Sequence, residues 1–141
     1  MAVLLPEPPE PLEFGWEENL CYFPEPKGYT ILWIDQEPDI DGVDLWAYCT
    51  DGKIRSVRLS ECCSNPKVYE TDPTWTDKDG EHRPHQMWPS HRRSVASILM
   101  RRIAKEADPR KRAIMLCTLA AMEQSQKREE QSFRQYVSAN F

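Results

Sequence analysis

The pattern of hydrophobic positions changes from alternating to helical a little past the middle of the chain. In the first half, Tyr29–Ile34 is rich in β-branched and aromatic residues, and Val43–Cys49 alternates small apolar side chains with larger ones, which is typical of strands. Asp51-Gly52 then supplies the positive φ angles of a tight hairpin turn before a third strand at Ile54–Leu59. A fourth strand is predicted at Lys67–Thr71. These segments predict a small antiparallel sheet of three or four strands.

The last third of the chain predicts two helices. Ser90 is the expected N-cap of a helix that ends near Ala107, with apolar residues three and four positions apart on one side. Asp108-Pro109 is typical of a helix start, and this second helix is expected to reach about Tyr136. Its segment Ala113–Met122 is apolar all round, which predicts burial on more than one side, either between the sheet and the first helix or in a homodimer. The whole pattern predicts an α+β fold in which a helical hairpin covers the sheet.

The length and the proline distribution predict one domain with an extended leader. A chain of 141 residues is enough for a single domain with its own core. Four prolines between Pro6 and Pro11 remove backbone donors and favour polyproline II. The predicted organisation is a leader at 1–28 and an α+β domain at 29–141, made of a sheet region at 29–71, a long loop at 72–90 and a basic helical hairpin at 91–137.

The opening segment Leu4–Leu12 also carries a resemblance. Its alternation of proline and glutamate resembles the Pro/Glu-rich starts of many small accessory proteins of tailed phages and prophages. The likeness is confined to the N-terminus and includes no catalytic residue. It implies, as an expectation, a phage origin and a role in modulating host or defence machinery.

Composition narrows the class of protein further. A hydrophobic content of 40% with five Trp, five Tyr and four Phe excludes a wholly disordered chain. No apolar run reaches the roughly 18 residues of a membrane span, and Met1–Leu5 lacks the features of a signal peptide. We therefore expect a cytoplasmic protein with no membrane partner. Five cysteines, an odd number without an export signal, predict reduced thiols and no structural disulfide.

Charge divides the chain into two unlike regions. Residues 1–80 hold 6 Lys/Arg and 17 Asp/Glu, whereas residues 81–141 hold 12 and 6, so the regional net charges of -11 and +6 give the overall -5. Such regions can neutralise each other within one molecule, or they can bind a polyanion and a basic protein separately.

The basic charge is concentrated around the turn between the predicted helices. Eight cations are the candidate partner-binding residues here, for phosphate or for an acidic surface: Arg92, Arg93, Arg101, Arg102, Lys105, Arg110, Lys111 and Arg112. Arginine forks suit bidentate phosphate contacts, an acidic protein surface fits equally, and salt bridges to the acidic region would leave a merely solvated face. A helix–turn–helix DNA reader is disfavoured, because the second helix begins apolar all round.

A run of acids between the first two predicted strands is the second candidate partner-binding site. Its members, expected in a loop broken by Pro38 and Gly42, are Asp35, Glu37, Asp39, Asp41 and Asp44. The run lacks the ligand spacing of a calcium loop, so solvated loop acids are favoured over a cation site or catalytic carboxylates.

Thiols and imidazoles could form a metal site in principle. Cys62, Cys63, His82 and His85, with His91 and Cys49 nearby in sequence, are zinc-ligand types. Their spacing is poor, since adjacent cysteines are an uncommon zinc pair and no Cys-x-x-Cys is present, so we expect no metal or other cofactor. Cys49 and Cys117 are expected in the core.

No catalytic or nucleotide-binding motif stands out, so the sequence favours a non-enzymatic protein. The leading hypothesis is a protein-binding modulator or inhibitor of a macromolecular machine, possibly one that handles nucleic acid, which acts by charge-complementary surface binding. The alternatives are a nucleic-acid-binding module that uses the arginine-rich hairpin and a small zinc-stabilised structural subunit.

Overall fold

A computed structural model describes residues 16–40, 42–59 and 67–140. Its strands and α-helices are, in chain order, β1 (Ile31–Asp39), β2 (Gly42–Cys49), β3 (Ile54–Arg58), β4 (Val68–Thr71), β5 (Trp75–Asp77), β6 (Gly80–His82), α1 (Pro89–Lys105) and α2 (Pro109–Asn140). Two 3-10 helices, Trp16–Tyr22 and Pro84–Gln86, complete the elements. The predicted α+β fold with a C-terminal helical hairpin is confirmed. No helix in these ranges is long and apolar enough to cross a membrane.

Strands β1 to β4 form one antiparallel sheet in that order, as the alternating pattern predicted. The small apolar residues of β2 that the pattern singled out, Leu45, Ala47 and Cys49, are all fully buried. They form the sheet core together with Phe23, Ile31, Ile34 and Val57. Burial of this face holds the register of the strands, because a slip by one residue would turn the apolar side chains to solvent.

The predicted leader is wrong for residues 16–28. Trp16–Tyr22 forms a 3-10 helix that contacts β1, and Phe23 is buried in the sheet core. Its aromatic residues are large enough to repay the ordering of this segment by burial against the sheet. The proline-rich start of the predicted leader, residues 1–15, lies outside the described residues.

The turn between β2 and β3 is confirmed and is held against α2. Gly52 has a φ of +80°, the left-handed conformation that glycine adopts most easily. A Cβ at this position would lie 2.5 Å from the backbone nitrogen of Ala121 in α2. The Cys117 thiol donates a hydrogen bond of 3.5 Å to the carbonyl of Lys53. The sheet and the long helix therefore meet at this turn.

The acidic run does not lie in a loop. β1 continues through it to Asp39, and β2 begins at Gly42. Across this extended hairpin Asp35 lies opposite Trp46, and Glu37 lies opposite Asp44. Antiparallel pairing with β2 satisfies the backbone of the run and outweighs the poor strand propensity of its residues.

The predicted loop at 72–90 contains ordered secondary structure. β5 and β6 form a separate two-stranded sheet, and the Pro84–Gln86 3-10 helix contacts α2. His82 Nε2 lies 2.9 Å from Asp77 Oδ1 across the small sheet. Side-chain bonds of this kind stabilise a hairpin that is too short to be recognised from its hydrophobic pattern.

Helix α1 begins at Pro89, with Trp88 rather than Ser90 at the N-cap position. Proline suits the first helical position, because its missing N–H has no partner there in any case. Three residues of the predicted apolar side, Val95, Leu99 and Ile103, are buried. The helix ends at Lys105, two residues earlier than predicted.

Helix α2 begins as predicted and is longer than predicted. The Asp108 side chain accepts a hydrogen bond of 2.9 Å from the backbone nitrogen of Arg110, two residues into the first turn. The helix continues to Asn140. Of its all-round apolar segment, five residues are buried within the chain itself: Ala113, Cys117, Thr118, Ala121 and Met122.

The hairpin has a core of its own. Met122 packs there with Met87 and with the buried stripe of α1, while Cys117 and Ala121 lie against the β2–β3 turn. The segment 113–122 is thus clamped between α1 and the sheet region. A homodimer through Ala113–Met122 would have to open this core, so the homodimer expectation is not supported at this segment.

Candidate functional site

Arg92, predicted as a partner-binding residue, is part of the core. Its side chain is 1% exposed. Nε donates to the carbonyl of Pro84 at 3.0 Å, and Nη2 donates to that of Met87 at 2.9 Å. Nη1 donates to Gln126 Oε1 at 2.8 Å and to Glu129 Oε2 at 3.0 Å. Arg92 therefore joins the 3-10 turn before α1 to α2 and cannot contact a partner.

A sequence signal for this role existed. Arg92 lies three residues before Val95 and seven before Leu99, on the same side of α1. A charged residue in register with a buried stripe is expected to be buried only when it is fully hydrogen-bonded, and the structure supplies that set of acceptors.

Arg110 binds the acidic region of the same chain. Its Nε and Nη2 donate to the two carboxylate oxygens of Asp35, each at 2.8 Å. Trp33 Nε1 at 2.9 Å and the Tyr48 hydroxyl at 3.3 Å donate to the same carboxylate. Burial, with Asp35 close by, raises the pKa of Tyr48 to about 12, and the hydrogen bond to Asp35 raises the pKa of Arg110. One member of each predicted site is therefore used to join the helices to the sheet.

The remaining acids of the predicted site also have partners within the chain. Arg58 binds both oxygens of Asp44, at 2.8 Å and 3.1 Å, and this hydrogen bonding lowers the pKa of Asp44. The Trp46 indole donates to Glu37 at 3.1 Å. These bonds offset the repulsion between Glu37 and Asp44, which lie opposite each other on neighbouring strands.

Two acids of this set complete the account. Asp39 ends β1, and Asp41 lies outside the described residues. The run is a charged strand edge with its own hydrogen-bond partners, and it presents no free acidic surface in the part that the structure describes.

Six cations of the predicted set remain exposed, and none forms an ion pair with a described residue: Arg93, Arg101, Arg102, Lys105, Lys111 and Arg112. Apart from Arg93, which belongs to the first turns of α1, they lie where α1 ends and α2 begins. We call these five the basic end of the hairpin. The Arg102 guanidinium lies 5.5 Å from the centre of the Trp75 ring, a cation–π contact that orients this side chain towards β5.

An open groove of about 450 Å³ lies at the basic end, between the two helices. Its lining combines three cations and one acid with two apolar residues: Arg102, Lys105, Lys111, Glu106, Ile114 and Met115. Apolar lining with a few charged groups at the edge is a common arrangement at ligand and peptide sites. The groove can thus hold an apolar group while its cations bind acids on either side.

The proposed zinc ligands do not come together. Among the described residues no group of three or more His, Cys, Asp or Glu side chains has an arrangement that could hold a metal ion. His82 and His91 both approach Asp77, at 2.9 Å and 3.5 Å, whereas His85 lies 3.8 Å from Asp72. Cys62 and Cys63 lie outside the described residues.

The two described core thiols are unsuited to nucleophilic chemistry. Burial raises the pKa of Cys117 to about 12 and also raises the pKa of Cys49. A thiol that is protonated near neutral pH is a poor nucleophile. Both residues are packing residues, as their apolar surroundings in the sequence indicated.

Comparison with protein-family models, with curated protein sequences and with solved structures finds no match to this chain. A functional assignment therefore depends on the geometry and chemistry of the basic end.

Proposed function

We propose that this protein is a non-enzymatic modulator that binds an acidic segment of another protein at the basic end of its helical hairpin. The observation that carries the proposal is the groove itself: Arg102, Lys105 and Lys111 surround a floor of Ile114 and Met115. None of the three cations forms an ion pair with any described residue. Their charge is available to a partner.

An acidic protein segment fits this surface better than nucleic acid does. The groove has an apolar floor, which suits a Leu-like or aromatic side chain with acids on both sides, whereas a phosphate backbone gains little from apolar contact. Arg110, the cation nearest the sheet, is already bound to Asp35. The acidic region and the net charge of -5 also oppose the approach of a long polyanion.

Binding of this kind would modulate the partner by competition. An acidic surface that ordinarily binds a basic protein or nucleic acid would be occupied by the basic end instead. The exposed cations would speed association at low ionic strength. The class of machine that the sequence suggested, one that handles nucleic acid, commonly has such contacts, and it is the class in which we place the partner.

The proposal is tested with a fluorescent peptide in which Asp and Glu flank a single Leu. We expect saturable binding that weakens at least about tenfold when Arg102, Lys105 and Lys111 are all replaced by glutamate, since each exposed pair contributes up to about 1 kcal/mol. The matched control replaces Lys27, Lys78 and Lys127, all exposed, by glutamate. It changes the net charge equally and should leave the affinity within about twofold.

Competition separates the two kinds of anion. A DNA or RNA oligonucleotide should displace the peptide weakly at physiological salt. If the oligonucleotide binds more tightly than the peptide, with an affinity that falls steeply as salt rises, the nucleic-acid-binding module replaces the present proposal. Equal loss of peptide binding in the two triple variants would show a non-specific charge effect and would overturn the assignment of the groove.

A further inference from the structure

An exposed aromatic surface lies at the end of α2 remote from the basic end. Trp88 is 79% exposed, Phe133 is 67% exposed and Tyr136 is 61% exposed. Trp88 and Phe133 line one side and one end of an open groove of about 610 Å³ between the start of α1 and α2. Three large aromatic residues this exposed on one side of a small protein mark an interaction site. We call them the aromatic end.

The aromatic end exists because α2 is longer than α1. Arg92, in the first turn of α1, contacts Gln126 and Glu129 of α2. Beyond these contacts α2 continues to Asn140, a further length of about 16 Å. Residues 127–140 are exposed except for the half-buried Val137.

The uncovered part of α2 continues the face that α1 covers. Phe133 and Tyr136 lie four and seven positions after Glu129, and Phe133 lies seven after Gln126, so both aromatic residues belong to the side of α2 that faces α1. Val137 lies beside them, four positions after Phe133. An apolar helix face that extends past its intramolecular partner has no cover among the described residues.

We propose that a second copy of the chain covers this face, with the two α2 ends packed antiparallel about a two-fold axis. Glu130 and Arg134 lie one turn apart on one flank of the aromatic stripe, and neither forms an ion pair with a described residue. In an antiparallel pair with its axis near Ser132, Glu130 of each copy faces Arg134 of the other. The flank is self-complementary, as a two-fold interface requires.

The available area sets the strength of the dimer. Each aromatic side chain offers about 150–250 Å², of which about two thirds is exposed here, so two copies together bury on the order of 1,000 Å². This value is near the lower limit for specific interfaces, and it corresponds to a weak dimer that forms in the micromolar range or above.

This inference does not depend on the proposed function, because the two surfaces are separate. Lys111 and Phe133 are 22 positions apart on one helix, or about 33 Å. A dimer through the aromatic ends would carry its basic ends at its two extremities. It would bind a partner with two acidic segments more tightly than a single chain does.

Sedimentation velocity of the full chain over a wide concentration range tests the dimer. The average mass should rise from 16.5 kDa towards twice that value as the concentration increases. Phe133→Asp combined with Tyr136→Asp should keep the chain monomeric without changing its melting temperature, because both side chains are exposed. Met100→Asp is the matched control: Met100 is also exposed, but on α1 and outside the patch, so this variant should dimerise like the wild type.

A charge exchange tests the antiparallel register. Glu130→Arg alone and Arg134→Glu alone should each weaken dimerisation about tenfold, since two ion pairs become two repulsions. An equimolar mixture of the two variants should recover the wild-type affinity, because each copy then faces the opposite charge. A wild-type chain that stays monomeric at every concentration overturns the proposal, as does a mixture that dimerises no better than its components.

Discussion

At the scale of single residues, Arg92 shows how a buried charge can organise a fold. Its guanidinium serves two backbone carbonyls and two side chains of α2. We expect Arg92→Ala to destabilise the protein by at least about 2 kcal/mol, since a buried acceptor without a donor costs about 1–3 kcal/mol. Urea unfolding measures this change. Arg93→Ala is the control and should stay within about 0.5 kcal/mol of the wild type; equal losses at the two positions would show that Arg92 has no special role.

Gly52 and Gly28 separate two reasons for conserving a glycine in a turn. Both have a φ of +80°, but a Cβ would meet the backbone of Ala121 only at Gly52, and nothing lies within 4 Å at Gly28. Gly28→Ala should cost about 1–2 kcal/mol for the left-handed backbone alone. Gly52→Ala should cost about 1–3 kcal/mol more, because α2 must move away from the turn. Thermal melts of the two variants, if they coincide, would show that the turn is not held against the helix.

At the scale of elements, the small β5–β6 sheet is held to α1 by Asp77. Its carboxylate lies 2.9 Å from His82 Nε2 and 3.5 Å from His91 Nε2, and the hydrogen bond with His82 lowers the pKa of Asp77 below its ordinary 3.8. Because the folded-state pKa is the lower one, ionised Asp77 stabilises the protein above about pH 4, and this stabilisation is lost as the pH falls through the folded-state pKa.

A comparison of wild type and Asp77→Asn across pH tests this role. The variant should melt at a lower temperature than the wild type at pH 6–7, and the difference should shrink towards zero as the pH falls below about 3.8. Glu81→Gln is the control, since Glu81 is exposed on the same small sheet and forms no ion pair with a described residue. A difference that grows in acid would contradict the assigned direction.

The elements that the sequence could predict are those with a strong hydrophobic period. β2 alternates and α1 repeats every three to four residues, so burial alone determines their type. β1 was predicted too short, because Glu37 and Pro38 are poor strand formers and only pairing with β2 extends it. β5 and β6 have three residues each, too few for a period. The sequence could predict the basic turn of the hairpin, but not its apolar-floored groove, which arises from the packing of two helices.

At the scale of the whole molecule, the opposite charges of the two halves meet at few points. The main one is the pair of Arg110 and Asp35, which are 75 positions apart in sequence. No local pattern could have selected Arg110 over its neighbours Lys111 and Arg112, because the choice depends on how α2 lies across β1. Most of the basic charge is left exposed as a result, so the charge asymmetry of the sequence becomes a property of the folded surface.

A double-mutant cycle on Asp35→Asn and Arg110→Gln measures how strongly this pair joins the halves. Both donor groups of Arg110 engage the carboxylate, but the Arg110 side chain is 48% exposed, so solvent screens the pair and the coupling should be about 1 kcal/mol at low salt. It should decrease at about 1 M salt, where the Debye length is about 3 Å. Arg112→Gln, which removes an exposed cation from the same turn, should show no coupling with Asp35→Asn. If both cations couple equally, α2 is held to the sheet by general attraction between the halves rather than by the bidentate contact.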